Sequence, residues 1–264
     1  MSASDGFAMV LTIAVAAGVA SPLGGLLAIW RKPTTLFMSV SLGFASGVLL
    51  GTIGFEMLPQ ALELGSWLVA LAGFTSGFLP MYALDLFVHR GKLAGEKAEQ
   101  HRRVERFYRR HRPRGDDITV LAGGTSAEEL IEGLSIGIGA TINPGLGLLV
   151  ACAIAVDNFS EGLSIGELIR SERSGRGRSH TWRILGWTGL IGAAVLCSTI
   201  VGWFFLRDVP PPVLGFLFGV GAGGMFYLTV TDLVPQAEER QYQQAGAIAM
   251  GAGFMAMFVM SYFM

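Results

Sequence analysis

The chain has 264 residues, a net charge of -1 and 52% hydrophobic side chains, and its mean hydropathy is +0.53. Its apolar stretches repeatedly reach the roughly 20 residues that cross a bilayer, which excludes an ordinary soluble fold, and spans so long and continuous exclude a barrel. The near-neutral balance averages a basic face against acids elsewhere, and no nucleic-acid partner is inferred from it.

The pattern predicts an all-α integral membrane protein with eight transmembrane helices, at 7 to 29, 36 to 60, 66 to 88, 118 to 141, 145 to 169, 184 to 206, 212 to 236 and 243 to 263. The first span lacks the basic lead of a secretory signal, carries Asp5 and runs through Trp30 into Arg31 and Lys32, so it reads as retained. After the third comes the one long polar stretch, His89 to Asp117, rich in Arg with Glu96, Glu99 and Glu105 interspersed. It reads as a solvated loop that sets topology. His89, His101 and His111 make it a weak metal-collecting candidate, although its many cations oppose tight binding. Pro113, Gly115, Asp116 and Asp117 read as a stop followed by a helix cap, which starts the fourth span near residue 117. One membrane domain is thus divided into 1–88, with spans one to three; 89–117, a cytoplasmic basic loop; and 118–264, with spans four to eight.

Lys and Arg accumulate on the cytoplasmic side of membrane proteins. Arg31 and Lys32, Arg90 through Arg114, Arg170 through Arg183, and Arg240 all fall on one face of an eight-span chain, and only Arg207 falls on the other. Both termini are therefore expected outside the cytoplasm, with the multi-pass chain in the cytoplasmic (inner) membrane and the lipid bilayer as its first partner. Cys152 and Cys197 lie inside apolar segments and read as packing residues rather than a disulfide.

Two repeats organise the spans. Residues 128 to 137 read EELIEGLSIG and 157 to 166 read DNFSEGLSIG, in spans four and five. Glu56-Met-Leu-Pro-Gln-Ala late in span two matches Asp232-Leu-Val-Pro-Gln-Ala late in span seven. Each pair of spans is antiparallel, which fits an inverted 3+2+3 repeat about an axis in the membrane plane, an arrangement that places transporter substrates near the midplane.

Residues four apart share a helix face, so Glu128 and Glu132 line one side of span four while Asp157 and Glu161 line one side of span five. Glu129 and Asn158 sit one position round, and Ser135 and Ser164 extend the two faces. Gly133, Gly137, Gly162 and Gly166 permit close helix approach. A carboxylate near the bilayer centre costs on the order of 2.5 to 3.5 kcal/mol on insertion scales, so this group must be protonated, hydrated or cation-bound. No Lys or Arg lies in spans four or five to neutralise it.

These residues mark a cation site in a transport pathway, with Glu56 and Asp232 as candidate entry and exit contacts. An all-oxygen set favours hard or borderline divalent ions, among them Mn, Fe(II) and Mg, over the ions that imidazole or thiolate attract. Its empty form would hold protons that a metal must displace. No organic cofactor is called for. A proton- or sodium-coupled monovalent carrier is the alternative. An intramembrane hydrolase is a distant one, since all four His lie in loops or at span edges and none can form a Ser-His pair.

With these motifs the chain resembles the ZIP (Zrt/Irt-like) metal transporters over all eight spans. The family's span-four pattern is typically His-Asn-x-x-Glu-Gly, here Glu128-Glu129-Leu130-Ile131-Glu132-Gly133; its span-five His-x-x-x-Glu-Gly is similar to Asp157-Asn158-Phe159-Ser160-Glu161-Gly162. The acid-x-x-Pro motifs of spans two and seven also look like family signatures. The resemblance implies a divalent metal transporter and not an enzyme, working in the import direction and taking Zn, Mn, Fe(II) or Cd as substrate. It also implies a paired metal site bridged by Glu132 and Glu161, and a bundle of spans one, four, five and six that moves against the rest. Many transporters of this build dimerise, so a homodimer is among the partners to expect. Two departures stand out: both family His positions are acidic here, and the acid often found in span six is missing from residues 188 to 195. A more negative site suits Mn or Fe(II), while carboxylates also bind Zn.

Overall fold

The computed structural model describes residues 3–88, 116–171, 178–238 and 242–263. The predicted basic loop lies outside them apart from Asp116 and Asp117, and Arg240 is also outside. The described residues are all-helical: α1 (Ala3–Trp30), α2 (Thr35–Leu64), α3 (Trp67–Val88), α4 (Asp116–Ile142), α5 (Pro144–Ser171), α6 (Arg178–Leu206), α7 (Pro211–Glu238) and α8 (Gln243–Phe263). Among the described residues α1, α2, α5, α6, α7 and α8 are long and apolar enough to cross a membrane. The fourth segment carries Glu128, Glu129 and Glu132 within five positions, which breaks its apolar run.

Local chemistry sets the helix starts. Thr34 caps α2, its hydroxyl accepting from Phe37 N at 3.2 Å. Asn143 caps α5, its side-chain oxygen accepting from Gly145 N at 2.8 Å, with Pro144 in the first helical position, where a missing N–H costs nothing. Pro211 and Pro212 open α7 in the same way. The sixth helix begins at Arg178, earlier than the predicted 184, because a polar turn can continue a helix beyond the apolar run that hydropathy detects.

Proline also shapes helix interiors. In α2 the segment Ile53–Met57 and in α7 the segment Thr229–Leu233 are π-helical, and Pro59 and Pro235 follow them. A proline has no N–H to give and its ring crowds the carbonyl four residues back. Each helix widens one turn earlier: Leu58 N bonds Ile53 O, and Val234 N bonds Thr229 O, five residues back. Pro22 inside α1 likewise deprives the Gly18 carbonyl of its usual donor, and that carbonyl faces Gly192 of α6, where any side chain would collide with it.

The helices pack as two groups. One holds α1, α4, α5 and α6; in the other α2 packs on α8 and α3 on α7. Phe55 of α2 meets Phe254 and Phe258 of α8, and Phe78 of α3 meets Phe226 and Tyr227 of α7. The groups touch along two seams, α2 with α5 and α4 with α7. A cavity of about 190 Å³ lies in the second seam, lined mainly by apolar side chains of α4, α7 and Leu206. Large apolar side chains cover the outside, with Trp30 and Trp182 exposed at one end and Trp67, Phe205 and Phe263 at the other, the placement expected of rings at a membrane–water interface.

Candidate metal centre

The one-residue turn at Asn143 folds α5 back along α4 and sets their two acidic phrases side by side. Glu129 is 1% exposed, Glu132 5%, Asp157 3% and Asn158 0%, while Glu161 is partly buried. Glu128 lies on α4 one position before Glu129, and its side chain is outside the described residues.

The acids meet in pairs across the two helices. Glu129 is within hydrogen-bond reach of Glu161, and Asp157 within reach of Glu132. Two bare carboxylates repel, so each contact requires a proton or cation between the partners. Asp157 Oδ1 and Glu161 Oε2 are buried and have no hydrogen-bond partner among the described residues. Among those residues no three His, Cys, Asp or Glu side chains converge as a ready-made cage. The site is two acid pairs and an amide, with oxygens held out of water.

The glycines do separate work on each helix. Gly133 and Gly137 face Ser198, Thr199 and Gly202 of α6, whereas Gly162 and Gly166 face Ser21, Gly25 and Ala28 of α1. Close approach thus seats α4 on α6 and α5 on α1. Ser135 donates to the carbonyl of Ile131 at 2.8 Å, so its hydroxyl is engaged within its own helix; Ser164 Oγ is buried with no partner among the described residues.

Two serines that the sequence did not single out hold the surroundings. Ser198 of α6 donates to the Ala194 carbonyl of its own helix at 2.7 Å with the Glu129 carbonyl at 3.2 Å as a longer second acceptor, and Ser160 of α5 donates to its own Val156 carbonyl at 3.1 Å with the Ser41 carbonyl of α2 at 3.3 Å across the seam. Their only signal was a hydroxyl in an apolar run; both bond their own helix, as helical hydroxyls ordinarily do, and the second acceptor on a neighbouring helix leaves no mark in the sequence.

Glu56 and Asp232 occupy the π-helical segments. Glu56 is partly buried and Asp232 is exposed. Glu167 is partly buried near the end of α5. Arg170, in the last turn of α5, donates to the carbonyls of Ala28 and Ile29 and so caps the end of α1.

The zinc transporter ZupT of Corynebacterium glutamicum is 30% identical over 233 residues, covering 84% of this chain and 86% of the relative. The chain belongs to the ZIP family. Other ZIP relatives agree: the zinc transporter ZupT of Corynebacterium efficiens is 29% identical, covering 88% of this chain and 87% of its own. That of Streptococcus mutans is 27% identical, covering 84% and 85%. No protein-family model matches the chain. Set against the ZIP pattern, Glu128 and Asp157 stand where His is common, and Glu129 stands where Asn is common.

Proposed function

We propose that the chain is a divalent metal-ion transporter of the cytoplasmic membrane, importing its ion through a site between α4 and α5. The observation that carries this is the meeting of buried carboxyl groups from two antiparallel helices whose predicted spans contain no Lys or Arg. Such a site is unfavourable in a membrane unless protons or cations occupy it. Glu128, Glu129, Glu132, Asp157, Asn158 and Glu161 line it, with Glu132 and Glu161 bridging, and Glu56 and Asp232 serve as entry and exit contacts. The ZIP relatives are named zinc transporters, which supports a divalent substrate. The all-oxygen set extends the range toward Mn and Fe(II).

The same reading takes all eight helices as spans, with both termini outside and residues 89–117 as a cytoplasmic loop between 1–88 and 118–264. The inverted 3+2+3 repeat draws support from packing. Ser198 and Gly202 of α6 meet Gly133 and Gly137 of α4 as Ser21 and Gly25 of α1 meet Gly162 and Gly166 of α5. The matched π-helical segments of α2 and α7 point the same way. On this reading the group of α1, α4, α5 and α6 moves against the other helices, and the chain works as a homodimer.

The test is uptake of Mn, Fe(II), Zn, Cd and Mg into proteoliposomes by the wild type and by Glu132→Ala/Glu161→Ala. Uptake that the double variant loses by at least about a hundredfold, as expected when a charge-assisted ligand pair is removed, supports the proposal. Absence of divalent uptake with confirmed insertion sinks it; sodium- or proton-dependent flux would then favour the monovalent carrier.

A further inference from the structure

A buried side-chain amide needs hydrogen-bond partners, and the orientation of Asn158 that gives its nitrogen the shorter contacts turns it toward Glu129. Turned that way, its nitrogen lies 2.6 Å from Oε1 and 3.1 Å from Oε2 of Glu129. Turned the other way, the nitrogen finds the Ala17 carbonyl at 3.4 Å, and the amide oxygen faces the carboxylate, acceptor against acceptor. The first arrangement is a hydrogen bond between α5 and α4, made by two side chains almost wholly out of solvent. Asp157 Oδ1 and Glu161 Oε2, by contrast, are buried oxygens to which no described group donates.

We infer that Asn158 is a positioning residue rather than a ligand: its amide nitrogen holds the Glu129 carboxylate, fixes α4 against α5 and leaves oxygens of Asp157 and Glu161 to receive the metal. The amide–carboxylate pairing rests on geometry, and its consequence for metal rests on the proposed transport function. The family pattern, with Asn at the position of Glu129, contains no such carboxylate for an amide to hold, so the arrangement belongs to this chain's departure from that pattern.

Three variants separate donor from ligand. Asn158→Leu keeps the size and removes the donor. Asn158→Asp keeps an oxygen and removes the donor. Glu129→Gln/Asn158→Asp exchanges carboxylate and amide between the helices and rebuilds the pair in reverse. Each is measured as full-length protein for Mn uptake kinetics in proteoliposomes and for Tm in metal-free detergent. The single Asn158 variants should raise the KM for Mn about tenfold, with a smaller change in maximal rate, and lower Tm. The exchange should return KM to within about threefold of wild type and recover Tm.

Wild-type KM in Asn158→Asp would make Asn158 an oxygen ligand and overturn the inference. An exchange variant no better than Asn158→Asp would also overturn it, by showing that the two residues do not act as a unit. Should Asn158→Leu fail to insert, the other two variants carry the comparison. If wild type moves neither Mn nor Zn, the transport proposal fails on its own, and Tm still decides the pairing: recovery in the exchange supports it, and additive losses refute it.

Discussion

Glu129 with Glu161 and Glu132 with Asp157 place protons and metal in competition for the same oxygens, because neither contact is stable with both partners bare. The apparent KM for metal should therefore rise as pH is lowered from neutral, with the rate at saturating metal falling less. Uptake kinetics across that range check it, and a flat profile would remove the competition. The acids themselves were legible from spacing, since residues four apart on two repeated phrases have little choice of face. What Asn158 does was not legible. An amide reads equally as donor or acceptor in a sequence, and only the position of the Glu129 oxygens makes it a donor. The second acceptors of Ser198 and Ser160, Glu129 O and Ser41 O, stayed hidden because they are backbone atoms of other helices.

At the scale of elements, hydropathy located the helices, and errors collected at their ends, where solvated turns such as that of Arg178 continue past the apolar run. The π-helical segments show another limit of pattern reading. Pro59 and Pro235 announce a disturbed helix, but whether it kinks, breaks or widens depends on the packing around it. Both helices widen, and both widened turns contain an acid. Pro235→Ala restores a backbone donor and lets the turn relax toward an ordinary α-helix, which would rotate Asp232 from its present position. Metal uptake should slow several-fold while Tm holds or rises, since proline in a helix interior costs about 3 kcal/mol. A slow variant with a lowered Tm would instead assign the effect to general damage.

For the whole molecule, hydropathy says which segments cross a membrane but not which are neighbours. The grouping of α1, α4, α5 and α6 followed from the family resemblance, and the packing reproduces it. The seams are where relative motion would occur. Ser135 of α4 lies against Gly221 of α7 in one of them, so Ser135→Cys/Gly221→Cys, in a background of Cys152→Ser/Cys197→Ser, allows a disulfide across it. Oxidation should stop uptake by about tenfold or more and a reductant should restore it, as expected when a required conformational step is blocked. Unimpaired uptake by the cross-linked protein would mean that the seam does not slide.

The exposed rings at the two ends of the molecule carry this further. Trp182 and Phe205, both exposed on α6, stand about 35 Å apart at 1.5 Å of rise per residue, somewhat more than the roughly 30 Å of an average hydrocarbon core. A helix group that slides carries its anchoring rings through the headgroup layer, and the surrounding lipid must stretch or thin to follow. On the proposed mechanism, hydrophobic mismatch enters each cycle, so the thickness of the host bilayer helps to set the turnover of this transporter.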